Sequence, residues 1–189
     1  NVAREVGIDA KTIKEYYQIL VDTLVGYLIP PYTKKISRNI ISHTPKFYYF
    51  DVGLTTRLSK KSFTELVGSD AGKALENYVL MELIAYIGLN DSDYGLFYWR
   101  TNTGIEIDFI LSNSITKPIP IEVKISKNLH KTELKSIKSF MEEYELNIGY
   151  VVCLEPVSRR LSLGNDREIL ILPIEKFLKH LWSKKIINN

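Results

Sequence analysis

GIEIDFIL (residues 104–111) and PIPIEVK (residues 118–124) decide how this chain is read. Each run alternates apolar and polar side chains, the period of a β-strand whose two faces meet different surroundings. In 105–111 the alternation predicts Ile105, Ile107, Phe109 and Leu111 on one face, with Glu106 and Asp108 on the other. In 119–125 it predicts Ile119, Ile121, Val123 and Ile125 on one face, with Glu122 and Lys124 on the other. A hairpin through Ser112–Pro118 would bring Asp108 beside Glu122 and Lys124.

Carboxylate oxygens converging on one point suit Mg²⁺ or Mn²⁺, hard cations that prefer oxygen. Such an ion binds a phosphate oxygen and lowers the pKa of its bound water. A lysine on the same face can position or deprotonate that water and offset charge in the transition state. The expected chemistry is metal-dependent phosphodiester hydrolysis. An ordinary cross-strand ion pair gives the same Glu-x-Lys pattern. Asp108 upstream, the apolar run before Glu122, and Glu76 weigh against that simpler reading.

Glu76 falls within a helix predicted over Gly72–Ile87, on the stripe of Val79, Leu80, Leu83 and Ile87. A lone charge in an apolar stripe is costly to bury, so a metal or a lysine on the facing sheet is expected to compensate it. Glu82 falls on the opposite flank, where solvent would serve. Further strands are predicted at 96–101, 148–154 and 168–172, a helix near 130–144, and a last helix after Pro173. From residue 72 the order is α-β-β-β-α-β-β-α, an α/β fold with a mixed sheet flanked by helices.

Upstream, residues 2–6 read as the end of a short helix closed by Gly7. Asp9 caps a second helix whose apolar positions are Ile13, Tyr17, Leu20 and Leu24. Helix, glycine-containing turn, helix is the helix-turn-helix pattern. Extended runs at Val25–Tyr32 and Lys46–Phe50 make a winged variant plausible; a helical hairpin used only for packing stays open beside it. The expected division is 1–60, a winged-helix-like segment, and 61–189, an α/β domain.

The 189 residues carry 25 Lys+Arg and 22 Asp+Glu, a net charge of +3. The charge divides as +4 over residues 1–60 and −1 over the rest. No acid lies between Asp22 and Asp51, whereas Lys34, Lys35, Arg38 and Lys46 do. A local positive stretch attracts phosphate without reading bases, so Lys34, Lys35 and Arg38 are candidate contacts to DNA. Arg100 is another candidate, with pairing to Glu106 as its alternative. At 45% hydrophobic and 25% charged, the chain can bury a core and is unlike a disordered one. No apolar run is long enough to span a bilayer and no signal-type segment opens the chain. The single Cys153 leaves no internal disulfide and fits a reducing, cytoplasmic compartment. His43, His130 and His180 show no zinc-ligand spacing with Cys153.

The Asp108…Glu122-x-Lys124 set resembles the PD-(D/E)xK nuclease superfamily, which has a restriction-endonuclease-like fold. The order of NVAREVGIDAKTIKEYYQIL, PPYTKK, PKFYYFDVGL, GKALENYVLMEL, YWRTNTGIEIDFIL and PIPIEVK resembles the C-terminal region of a large group of prokaryotic AAA-type ATPases. That region carries a domain of unknown function, the 4143 type, assigned to the same nuclease-like fold. The resemblance runs from residue 2 to about 178 and implies Glu76, Asp108, Glu122 and Lys124 as the active-site set. Asp108, Glu122 and Glu76 would be the metal ligands, and Ile107 stands where the family usually has valine. It also implies an ATPase module upstream, which fits a chain opening at Asn1 inside a helical pattern. No ATP site is expected within these residues. Gly68-Ser-Asp-Ala-Gly72-Lys73 falls one residue short of a phosphate-binding loop, has Ala74 where Ser or Thr should follow, and reads as a loop leading into the helix. A nuclease-like module that binds DNA or a protein partner and cuts nothing is the rival expectation.

Overall fold

The computed structural model describes residues 2–33, 44–58 and 68–187. Lys34, Lys35 and Arg38 lie outside the described residues.

Two short helices open the chain, α1 (Val2–Val6) and α2 (Ala10–Asp22). Gly7 sits at φ +68° between them, a left-handed conformation that glycine adopts without penalty. The Asp9 carboxylate accepts from the Lys11 and Thr12 amides, satisfying two of the orphan donors at the start of α2. The helix stops at Asp22, so Leu24 does not join its apolar face: it lies at φ +59° and is 74% exposed. β1 (Gly26–Ile29) and β2 (Lys46–Tyr49) then form an antiparallel pair. Two helices joined by a glycine turn and an antiparallel strand pair are therefore both present. α3 (Val52–Leu58) follows.

α4 (Gly68–Leu89) is longer at its start than the apolar stripe predicts. Gly68–Lys73 forms its first turns and is not a loop. Val79, Leu80 and Leu83 are buried as the stripe requires. Each such side chain contributes about 1.5–3 kcal/mol when fully buried.

The remaining strands are β3 (Gly95–Arg100), β4 (Glu106–Ser112), β5 (Ile119–Lys124), β6 (Ile148–Cys153), β7 (Arg159–Gly164) and β8 (Arg167–Pro173). They build a six-stranded sheet in the order β3-β4-β5-β6-β8-β7. β3 and β4, and β4 and β5, pair antiparallel; β5, β6 and β8 are parallel. β7 is absent from the predicted order and pairs antiparallel with β8 at an edge. Helix α5 (Lys135–Glu143), preceded by a 3-10 turn at Lys131–Leu134, covers one face; α4 and α6 (Ile174–Trp182) cover the other.

Alternation along the parallel strands assigns each side chain to a face. Tyr150, Val152, Leu170 and Leu172 pack with α4 and α6, whereas Val151, Cys153, Ile169 and Ile171 pack with α5. β5 follows the same rule. Ile119, Ile121 and Val123 face α4, which puts Glu122 and Lys124 on the α5 side beside Val151 and Cys153.

β4 breaks the rule. Phe97 pairs with Ile110 and Trp99 with Ile107, so two residues of β4 oppose one of β3. This is a β-bulge at Asp108–Phe109. Ile107 consequently packs on the α5 side while Phe109 and Leu111 pack on the α4 side. The single apolar face expected for 105–111 does not exist. One inserted residue flips everything beyond it, as a register slip does.

Candidate active site

The bulge fixes where Asp108 goes. The β4–β5 ladder runs Leu111↔Ile119, Ile110↔Pro120, Phe109↔Ile121 and stops there. One step further the strands part, and the Asp108 carboxylate fills the fork: its Oδ2 accepts from the Val123 amide at 2.8 Å. A side chain thus takes the place of a backbone acceptor. Burial raises the Asp108 carboxyl well above its usual range, and the charges of Glu122 and Glu76 add to this; the Val123 amide and Lys46 only partly oppose it. Asp108 is therefore in electrostatic contact with both sheet faces, Glu76 from the α4 side and Glu122 from the other.

Glu122 is only 2% exposed. Its Oε1 is 2.6 Å from the Lys124 ammonium, an i,i+2 pair on one strand face. Its Oε2 is buried with no hydrogen-bond partner among the described residues. Burial raises the Glu122 carboxyl, Lys124 pulls it back, and Glu106 and Glu76 add to the rise. Burial works against the Lys124 ammonium, but Glu122, Asp108 and Glu133 outweigh it and raise its pKa. Lys124 is therefore a cation here, suited to orienting water and holding anionic oxygen more than to removing a proton.

Glu76 projects from α4 on the expected stripe. The sequence foresaw that something must compensate it, but not what. The cation beside it is Lys46 of β2, with its Nζ 3.8 Å from Oε1, and not a lysine of the facing sheet. Tyr48, also on β2, donates its hydroxyl to the same Oε1. Lys46 also pairs with Glu106. Lys46 and Tyr48 are the site residues that sequence reasoning missed. Their signal was the Lys46-Phe47-Tyr48-Tyr49 alternation, which puts Lys46 and Tyr48 on one face. Glu82 is not simply solvated, since its Oε2 accepts from Trp182 Nε1 at 3.0 Å.

Arg100 is 53% exposed and lies 3.5 Å from Glu106 Oε2, the cross-strand partner that register places opposite it. Of its two expected roles, pairing is the one seen.

Among the described residues, no three carboxylate, imidazole or thiol groups converge closely enough to hold a hard divalent ion as they stand. Glu76 is turned toward Tyr48 and Lys46, and Glu122 toward Lys124. Yet the orphaned Glu122 Oε2 is what a cation would satisfy, because a buried acceptor without a partner is costly. Asp108 and Glu122 are the residues that could hold such an ion, while Glu76 is engaged by Tyr48 and Lys46.

A family model for a domain of unknown function (DUF4143) matches residues 71–177, and one for a second domain of unknown function (DUF8612) matches residues 1–65. No curated protein matches the chain. Among solved structures, the chain is similar to one chain of a tetradecameric assembly of Thermococcus gammatolerans McrB AAA+ hexamers with bound McrC. The identity is 8%, with 61% of this chain and 33% of that chain covered and a TM-score of 0.46. This chain thus spans about a third of that one's length. No helix among the described residues is long and apolar enough to cross a membrane.

Proposed function

The chain belongs to the family of the domain of unknown function DUF4143, and from that premise we propose that it carries a Mg²⁺- or Mn²⁺-dependent nucleic-acid phosphodiester hydrolase attached to an AAA-type ATPase. The observation that supports this reading is the fork between β4 and β5. There Asp108 accepts from the amide of Val123, the residue after Glu122, with one buried Glu122 oxygen unpartnered and Lys124 held against the other.

Asp108 and Glu122 would hold the ion, and Glu76 would supply a further oxygen or orient water. The ion would supply Lewis acidity and a more acidic bound water. Lys124 would orient the attacking water and offset charge gathering on the phosphate. Asp108 keeps the fork open by occupying the Val123 amide. The restriction-endonuclease-like fold, the winged-helix reading of residues 1–60 and the start of the second domain at residue 61 belong to the same proposal. So does the upstream ATPase, which rests on the resemblance of the sequence blocks alone.

The test is cleavage of labelled DNA and RNA with and without Mg²⁺ or Mn²⁺, with Asp108→Ala and Lys124→Ala alongside. Metal-dependent cleavage lost in both variants is expected; cleavage that survives in both sinks the assigned site. A second reading has an observation of its own. Lys46 and Tyr48 lie on Glu76, which favours a module that binds DNA or a protein partner for the ATPase without cutting. No cleavage with retained binding would select it. DNA contact by Lys34, Lys35 and Arg38 is tested by replacing all three with Ala: the log K against log salt slope should become shallower by about 2–3, and an unchanged slope removes them from the interface.

A further inference from the structure

β2 brings chemistry into the cluster from a part of the chain that matches a different family. Residues 1–65 match one model and residues 71–177 another, so Lys46 and Tyr48 come from the first and Glu76, Glu106, Asp108 and Glu122 from the second. β2 is held from behind. Phe47 packs against Tyr17 of α2 with ring centroids 4.8 Å apart and against Tyr49 at 5.1 Å. From its other face, the Lys46 ammonium reaches Glu106 and Glu76 and lies 5.1 Å from the ring centroid of Tyr98. Tyr48 packs on Phe109, the residue after Asp108, at 6.1 Å and donates to Glu76.

A largely buried ammonium facing carboxylates from two elements, α4 and β4, holds the electrostatic position that a small cation would seek. Resting on the metal-site reading above, we propose that Lys46 is an internal counter-cation that competes with a divalent ion for the carboxylate cluster. Tyr48 is its accomplice, keeping Glu76 turned away from Asp108. Both are positioning residues. With β2 seated, Glu76 is committed to the hairpin. With β2 withdrawn, Glu76 and Glu106 lose the ammonium that neutralises them. The seating of the N-terminal segment thereby sets cation affinity in a domain that its own family boundary would describe as complete.

The experiment is titration with Mn²⁺ alone, read as free Mn²⁺ by electron paramagnetic resonance and as heat by calorimetry. The chain is compared with Lys46→Met and Tyr48→Phe, each checked for fold by circular dichroism. Lys46→Met is expected to bind Mn²⁺ at least tenfold more tightly and Tyr48→Phe several-fold more tightly, and adding Asp108→Asn to either should abolish the gain. A purely structural role predicts no tightening. Equal or weaker binding in folded variants overturns the competition and leaves the metal site standing. No Mn²⁺ bound by any folded form overturns both. If Lys46→Met does not fold, Tyr48→Phe decides alone, because it removes one hydroxyl and keeps the ring.

Discussion

Two buried glutamates sit at the same end of neighbouring parallel strands, and they behave oppositely. Glu122 ends β5 beside Lys124; Glu155 follows β6 beside Arg159. They are 2% and 7% exposed, so burial does not distinguish them. Hydrogen bonding does. Glu155 Oε1 accepts from the Leu129 amide at 2.7 Å and Arg159 Nη2 at 2.8 Å, and its Oε2 accepts from Arg159 Nε at 2.8 Å. Arg159 also donates to the Leu129 carbonyl at 2.7 Å, closing the clamp. The Arg159 hydrogen bonds hold the Glu155 carboxyl below its usual range, whereas burial lifts Glu122 above it. A planar, bidentate arginine completes a carboxylate; a point-charge lysine leaves one oxygen over. The first arrangement is a staple. The second leaves a vacancy in the hydrogen-bond inventory, the feature on which the proposed metal site rests.

The contrast can be broken most directly at the clamp. Glu155→Ala should cost about 2–3 kcal/mol by leaving the Leu129 amide and Arg159 unpartnered, roughly 4–12 °C in Tm. Asp108→Asn keeps an acceptor for the Val123 amide and removes a charge that its surroundings disfavour. Without divalent ions it should raise stability by about 1 kcal/mol, or roughly 2–4 °C. Thermal melts that fall in both variants would erase the distinction between staple and vacancy.

Acidity sharpens it. Asp108 has a raised folded pKa, so its cost is absent below its ordinary value of 3.8 and grows as pH rises through the folded pKa. The advantage of Asp108→Asn should therefore vanish below the ordinary value of 3.8 and grow as pH rises above it. Glu155 has a depressed folded pKa, so its contribution is full above its ordinary value of 4.5 and is lost as pH falls through the folded pKa. Melts across pH 3–8 should show the Glu155→Ala deficit shrinking only at the acid end. The smallest effect is expected at Arg100, whose pair with Glu106 is long and exposed. Arg100→Ala should change stability by less than about 0.5 kcal/mol. If Arg100 touches phosphate, the salt slope of DNA binding should fall by about 1.

The sequence made part of this legible. Alternation placed β5, Glu122 and Lys124 correctly because that strand is regular and its apolar face is buried. The stripe through Val79, Leu80 and Leu83 located Glu76 because a helix repeats faithfully. The bulge at Asp108–Phe109 was invisible, since an alternating pattern looks the same whether or not an extra residue is accommodated. Lys46 read as one more charge of a basic stretch. Its true neighbours, Glu76 and Glu106, lie thirty and sixty residues away, and only packing of the β1–β2 hairpin brings them together. β7 escaped because an edge strand beginning Arg159-Arg160 buries little; Leu161 and Leu163, followed by the left-handed Gly164-Asn165-Asp166 turn, were its only signals.

Beyond β1 the chain runs alongside β3: Tyr98 N donates to the Pro30 carbonyl and Tyr32 N donates to the Tyr98 carbonyl. The Pro30–Tyr32 segment is thus a selvedge that finishes the outer border of the six-stranded sheet. A cut made where the two family models meet would leave that border raw, with its amide and carbonyl groups open to whichever strand arrived next. Residues 68–187 prepared alone should behave as a sticky oligomer, and the same piece with 2–67 restored as a well-mannered solute.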